Sequence, residues 1–191
     1  MGKCRPAVRE YNPAMADAGT ALYWDSFETP FGEMYGVASE SGLRVLMRTD
    51  ARYAARCHDA LHDAGQPLFG LLRRELVDYA AGRLQRFSIP LDLQGTEFQK
   101  QVWGAVAAIP FGETRSYSGI ARELGNDGAV RAVGHANGRN PVHIIIPCHR
   151  VLGGDGSLRG YAGGLDMKRR LLEIEGHPAV MAGGRQEALF G

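Results

Sequence analysis

The stretch Ile144-Ile145-Ile146-Pro147-Cys148-His149-Arg150-Val151 constrains this chain more than any other. Three consecutive isoleucines are β-branched and apolar, so they read as a strand driven into the interior. Pro147 then fixes the backbone and forbids a helix from running on through Cys148. The thiol is thereby held at the end of a buried segment, beside an imidazole and a guanidinium. Positive neighbours favour the thiolate, the nucleophilic form, so the pattern points to a reactive cysteine. The competing reading is a small core residue, the commoner fate of a lone cysteine. His149 and Arg150 weigh against it, because a core has no need of two basic side chains next to a thiol.

The chain has 191 residues and 45% hydrophobic content, enough for one domain or two small lobes around a real core. Its three cysteines, Cys4, Cys57 and Cys148, cannot all pair and show no CxxC spacing, which suits a reducing compartment. The first twenty residues carry Lys3, Arg5, Arg9, Glu10 and Asp17, with no apolar segment of signal-peptide length. No later stretch is apolar enough to span a bilayer, so the expected setting is cytoplasmic, without membrane attachment. Net charge is only +1, but its distribution is uneven: residues 115–170 hold nine cations against four acids. A positive face around the reactive stretch suits phosphate contacts, although a modest excess is also common on a solvated surface.

Residues 1–20 read as an irregular arm. Within 21–94, ALYWDSF and GLRVLMRT are strand-like, separated by turn signals at Thr29-Pro30-Phe31-Gly32 and Ser41-Gly42, and predict a small antiparallel sheet. Residues 51–64 and 69–82 read as helices, the second with Leu71, Leu72, Leu76 and Tyr79 at helical spacing and Gly82 as its stop. His58 and His62, four apart beside Cys57, would face one way on such a helix. A metal needs further ligands, however, and neither HExxH nor a downstream Cys/His set is present, so no metal is expected.

The second lobe, 95–176, opens with Thr96 as a helix cap, followed by Phe98, Val102, Trp103 and Val106 on one stripe. Tyr117 to Gly125 reads as a short helix capped by Ser118. After a turn from Asn126 comes AVRAVGHANG, and the pair makes a helix-turn-helix candidate. Ala129, Ala132, Gly134, Ala136 and Gly138 leave the second helix almost bare apart from Arg131. Such a helix suits either close packing in a core or close approach to a narrow groove, with one long side chain penetrating the base stack. Asn140-Pro141 turns the chain into the apolar run. Beyond Val151 lies a loop containing Gly153, Gly154, Gly156, Gly160, Gly163 and Gly164, without a phosphate-binding GxGxxG, and then a helix from Leu165 to Gly176. The fold class expected is α/β in the α+β sense, a small strand-rich N-terminal lobe with a helical C-terminal lobe. Residues 177–191 form a tail.

The segments FGETRSYSGIA, AVRAVGHANGRNPV, IIIPCHRVLG and GYAGGLDMKRRLLEIEG, in this order, closely resemble the O6-alkylguanine-DNA alkyltransferases. The resemblance covers the whole second lobe and only loosely the first. It implies that Cys148 is the nucleophile, His149 its proton relay and Glu175 the carboxylate orienting that histidine. Asn140 would brace the active-site turn, Tyr117 would present its hydroxyl to a flipped base, and Arg131 would fill the gap left in the duplex. Tyr161 would wall the pocket. Ala162 stands where some relatives carry serine, leaving only its backbone N–H for the base oxygen. Ser118, Asn126 and Gly134 complete the DNA-contacting set.

The resemblance further implies a monomer without cofactor that binds double-stranded DNA in the minor groove. It would move an alkyl group from O6-alkylguanine, and by extension O4-alkylthymine, irreversibly to Cys148. A cysteine hydrolase is the rival enzyme, but its base is usually remote in sequence from the thiol. A lesion-recognition module is the other rival, and the presence of Cys148 speaks against it. Finally, Gln186, Leu189 and Phe190 resemble the Q-x-x-L-F peptides that dock on replication sliding clamps, a pattern short enough to arise in any disordered tail.

Overall fold

The computed structural model describes residues 21–49 and 60–178. The arm, residues 51–59 of the first expected helix and the clamp-like peptide lie outside them. Strands β1 (Leu22–Thr29), β2 (Gly32–Ser39), β3 (Gly42–Arg48) and β4 (Leu61–His62) form one sheet in the order β3-β2-β1-β4. The first three are antiparallel neighbours, but β4 joins β1 in parallel, so the sheet is mixed rather than antiparallel. Leu61 and His62 were expected in a helix; instead they pair with Tyr23 and Trp24, and the His62 and Trp24 rings lie 4.7 Å apart. Pairing at an open sheet edge here overrides helical periodicity.

Strand β2 has no counterpart in the sequence reading. It is the central strand, buried at every position from Met34 to Ser39, so it lacks the alternation that marks a half-exposed strand. Gly36 lies under Phe69, whose ring would stand 3.0 Å from a Cβ there. Helix α1 (Pro67–Ala80) crosses this face with Phe69, Leu72, Leu76 and Tyr79 fully buried; Leu72, Leu76 and Tyr79 were expected on the stripe, whereas Leu71 is only partly buried.

The second lobe holds α2 (Glu97–Ala107), α3 (Tyr117–Glu123), α4 (Val130–Gly138) and α5 (Leu165–Ile174), with β5 (Arg115–Ser116) parallel to β6 (Val151–Leu152). Thr96 caps α2 in a reciprocal box with Gln99, as its sequence predicts. A single core runs through both lobes, from Leu46, Leu76 and Tyr79 to Val102, Trp103, Val133 and Ile146. The outer edge of β3 ties them together: Leu46 N–H donates to Pro141 O at 2.9 Å and His143 N–H to Leu46 O at 2.8 Å. The first lobe therefore grips the segment just before the thiol.

Candidate active site

Residues 140–150 do not continue as a strand. Ile144 takes a left-handed φ of 73°, a conformation that costs a β-branched residue on the order of 1–3 kcal/mol. The run instead folds into tight turns, with Ile145 N–H donating to His143 O at 2.9 Å and Cys148 N–H to Ile146 O at 2.8 Å. Asn140 compensates the strain. Its Oδ1 accepts from Val142 N–H at 2.9 Å and its Nδ2 donates to Ile146 O at 2.8 Å, both in the interior. Ile144 and Ile146 are buried and Ile145 partly so, in a braced turn rather than a strand.

Cys148 opens a one-turn 3-10 helix, Cys148–Arg150, and is 4% exposed. Burial pushes its thiol up to about 11, against weaker opposite pulls from Asn140 and Lys168. Burial thus outweighs the expected pull of positive neighbours toward the thiolate and leaves a neutral resting thiol, and one of those neighbours, Arg150, is engaged elsewhere. Arg150 Nε and Nη2 both hold Glu175, at 2.9 Å to Oε2 and 2.9 Å to Oε1, and Nη1 donates to Ile109 O at 2.5 Å.

Glu175 sits at the C-cap of α5, where the helix dipole disfavours a carboxylate. Four donors offset this: Arg150, His149 Nε2 at 2.8 Å, the Tyr79 hydroxyl at 2.6 Å and Gly112 N–H at 3.2 Å. Burial opposes ionisation, but the bonds from His149 and Arg150 prevail and hold the carboxyl down at about 2. His149 is completely buried. Desolvation lowers its pKa despite Glu175, so the ring is neutral at physiological pH. With Nε2–H facing the carboxylate, Nδ1 carries the lone pair, and this buried atom has no hydrogen-bond partner among the described residues.

Tyr117 opens α3 half-buried. Burial raises its hydroxyl pKa, the Asn137 side chain lowers it and the Cys148 sulfur raises it, so a protonated phenol stands by the thiol. The cap of α3 is Ser116, whose Oγ accepts from Gly119 N–H at 3.0 Å; Ser118, expected in that role, is exposed with its Oγ 3.0 Å from that of Ser116. Helix α4 packs one face in the core and leaves the other exposed. Val133, Ala136 and Asn137 face the core, where Trp103 Nε1–H donates to Ala136 O at 2.9 Å. Arg131, Ala132, His135, Gly138 and Arg139 are exposed, an outer face of small residues and basic side chains. Gly134 backs onto the Tyr117 ring, and Asn126 is exposed on the turn without capping the 3-10 turn that leads into α4. The glycine loop brings the half-buried Tyr161 edge-on to His149, ring centres 6.4 Å apart, while Ala162 is exposed.

Three contributors escaped the sequence reading. Tyr79 looks like any aromatic on a helical stripe. Asn137 hides among small residues, though its Oδ1 is buried and unpaired among the described residues. Lys168 had a visible signal, a cation on the apolar stripe with Leu171 and Leu172; fully buried, it donates to Val151 O and Arg159 O, each at 2.7 Å. Among the described residues no three potential ligands cluster to hold a metal, and His62 pairs with Asp25. No helix there is long and apolar enough to cross a membrane.

A buried thiol beside a histidine–carboxylate pair, in a lobe that carries a helix-turn-helix, is the arrangement expected of a DNA-directed thiol transferase. Residues 97–177 match the family model described as 6-O-methylguanine DNA methyltransferase, DNA binding domain, and residues 22–93 match its ribonuclease-like domain. The methylated-DNA–protein-cysteine methyltransferase of Mycobacterium tuberculosis is 57% identical over 154 residues, 81% of this chain and 92% of that protein. That of Methanosarcina acetivorans is 44% identical over 81% of this chain and 99% of its own length. The crystal structure of Mycobacterium tuberculosis OGT in complex with DNA superposes with a TM-score of 0.75 at 43% identity, covering 83% of this chain and 97% of that one. The chain belongs to the methylated-DNA–protein-cysteine methyltransferase family, and is by that membership an O6-methylguanine DNA methyltransferase acting in repair of alkylated DNA.

Proposed function

We propose that Cys148 is the acceptor and that transfer follows a relay through His149 and Glu175. The unpaired Nδ1 of His149 carries this reading: a neutral buried imidazole with its other nitrogen committed to Glu175 has one free lone pair for a proton. A bridging water would carry the thiol proton to Nδ1. As Sγ attacks the alkyl carbon, the carbon–O6 bond breaks and its electron pair remains on guanine. Tyr117 donates to the developing anion, and the products are S-alkyl Cys148 and guanine.

The target carbon is inaccessible in a duplex, so the nucleotide must be turned out of the stack. The exposed face of α4, small at Ala132 and Gly138 and basic at Arg131 and Arg139, suits close approach to a minor groove, with Arg131 wedged into the gap and Ser118, Asn126 and Gly134 along the backbone. Tyr161 and the Ala162 backbone would close on the extruded base. Since nothing in this chemistry removes the alkyl group, each molecule acts once, as a monomer in the cytoplasm. The division into 1–20, 21–94, 95–176 and 177–191 then separates arm, supporting lobe, reacting lobe and tail. Intact-mass and peptide analysis after mixing with O6-methylguanine duplex tests this. One methyl group gained at Cys148, saturating at one per protein and absent in Cys148→Ser, is the expected result; methylation elsewhere overturns the assignment. O4-alkylthymine duplex in the same assay tests the wider substrate range.

The tail supports a second contact. We propose that Gln186, Leu189 and Phe190 dock on a sliding clamp, and Leu189→Ala with Phe190→Ala should abolish co-elution with the clamp. Absence of binding by the intact chain refutes it.

A further inference from the structure

Glu175 and His149 belong to the second lobe, but the pair is completed from the first. Tyr79, fully buried on α1, places its hydroxyl 2.6 Å from Glu175 Oε1 and 3.4 Å from His149 Nε2. Its ring is fixed by Phe31, Phe87 and Phe111, with ring centres 6.0, 5.2 and 6.1 Å away. A purely packing role needs only the ring. A hydroxyl buried this deeply incurs a desolvation cost that its bond to Glu175 must offset, a cost that phenylalanine would avoid.

We propose that Tyr79 is a positioning residue of the alkyl-transfer reaction, supplied by the first lobe, whose hydroxyl shares Glu175 Oε1 with His149 and so holds His149 neutral with Nδ1 open. This rests on the relay reading above. Oε1 accepts from Tyr79, from His149 and from Arg150 at once. Each donor withdraws charge from the carboxylate and weakens its hold on the imidazole proton. Without the hydroxyl, Glu175 would draw more strongly on His149, the imidazolium would be favoured, and the base would be occupied by a proton at higher pH. The other groups facing His149 act in known senses. Arg150 on its own turn and Lys168 on α5 disfavour its protonation, Glu175 favours it, and Cys148 and Tyr161 are neutral at physiological pH.

The variant is Tyr79→Phe, which keeps the ring and its aromatic contacts. Single-turnover transfer from O6-methylguanine duplex is measured between pH 5 and pH 9, in parallel with the 15N-detected titration of His149. The wild-type acid limb should follow His149. In the variant both should move up by roughly half a unit to one unit, slowing transfer on the acid side by about three- to tenfold and sparing the alkaline side. A variant whose His149 titration and acid limb stay in place overturns the proposal, as does a uniform loss of rate at every pH, which marks packing alone. A wild-type acid limb unrelated to His149 refutes the relay itself, a different failure. Should the variant not fold, wild-type protein still decides: a slowly exchanging Tyr79 hydroxyl proton with a nuclear Overhauser effect to the His149 ring is required, and its absence overturns the proposal.

Discussion

The resting state of Cys148 can be tested without DNA. A thiol held near about 11 is ionised at pH 7.5 in roughly three molecules per ten thousand, against about one in ten for an ordinary cysteine near 8.5. The deficit in thiolate is roughly three-hundredfold. A more basic thiolate is also a better nucleophile, by about tenfold over this interval at a Brønsted slope near 0.45. Iodoacetamide should therefore label Cys148 at least about twentyfold more slowly than glutathione, and more slowly still because the residue is only 4% exposed. The assay is peptide mass spectrometry of Cys148 across pH 7 to pH 9.5, with glutathione as the internal standard. The rate should climb close to tenfold per pH unit with no plateau. Labelling as fast as glutathione, or a plateau by pH 8, would refute the neutral-thiol argument and restore the thiolate expected from sequence.

Acid should unfold the protein in two stages. Buried neutral His149 has a folded pKa below its ordinary 6.5, so protons bind the unfolded chain first and stability falls as pH drops below 6.5, a loss absent in His149→Phe. Glu175, held near about 2 against an ordinary 4.5, contributes stability above 4.5 that is lost between these values, by a few kcal/mol in denaturant titrations. Arg150→Met strands the Glu175 charge in the interior and should cost about 3–5 kcal/mol in the same titrations, with Glu175→Gln recovering part of it. Arg131→Ala, on an exposed side chain, should leave the melting temperature within about 1 °C while markedly slowing transfer from duplex but not from free O6-benzylguanine base.

How much of this was legible beforehand depends on where each interaction partner lies in the chain. Helix α2 was readable because Thr96, Gln99 and the Val102–Trp103–Val106 stripe all fall within eleven residues of one another. The proposed reacting group was marked by adjacent residues, Cys148 and His149. Strand β2 was not readable, because a central strand buried on both faces has no alternation to detect. The active-site turn was misread as a strand for a similar reason: Ile144 adopts its left-handed backbone only because Asn140 and the β3 edge hold both sides of it. Arg150 was read as a neighbour of the thiol when its true partner lies 25 residues on.

That misreading changes the chemistry, and the consequence can be followed through the charges. Arg150 neutralises Glu175, so the carboxylate orients His149 without greatly raising its basicity. The thiol near about 11 and an imidazole below 6.5 are then more than four units apart. Moving the proton between them before any bond to carbon forms costs on the order of 6 kcal/mol. A standing thiolate is therefore a trace species, and on the relay proposed above the proton would leave as the attack proceeds, with the departing guanine oxygen and the protonated Tyr117 placed to stabilise the charge as it forms. Such a site suits a protein that can react only once. A thiol ionised at rest would be consumed by any soluble alkylating agent, whereas a buried neutral one, on the proposed mechanism, would react only when a base fills the pocket and supplies the leaving group. Replacing Glu175 by Gln should accordingly slow transfer far more than it alters iodoacetamide labelling, since only transfer depends on His149 presenting Nδ1.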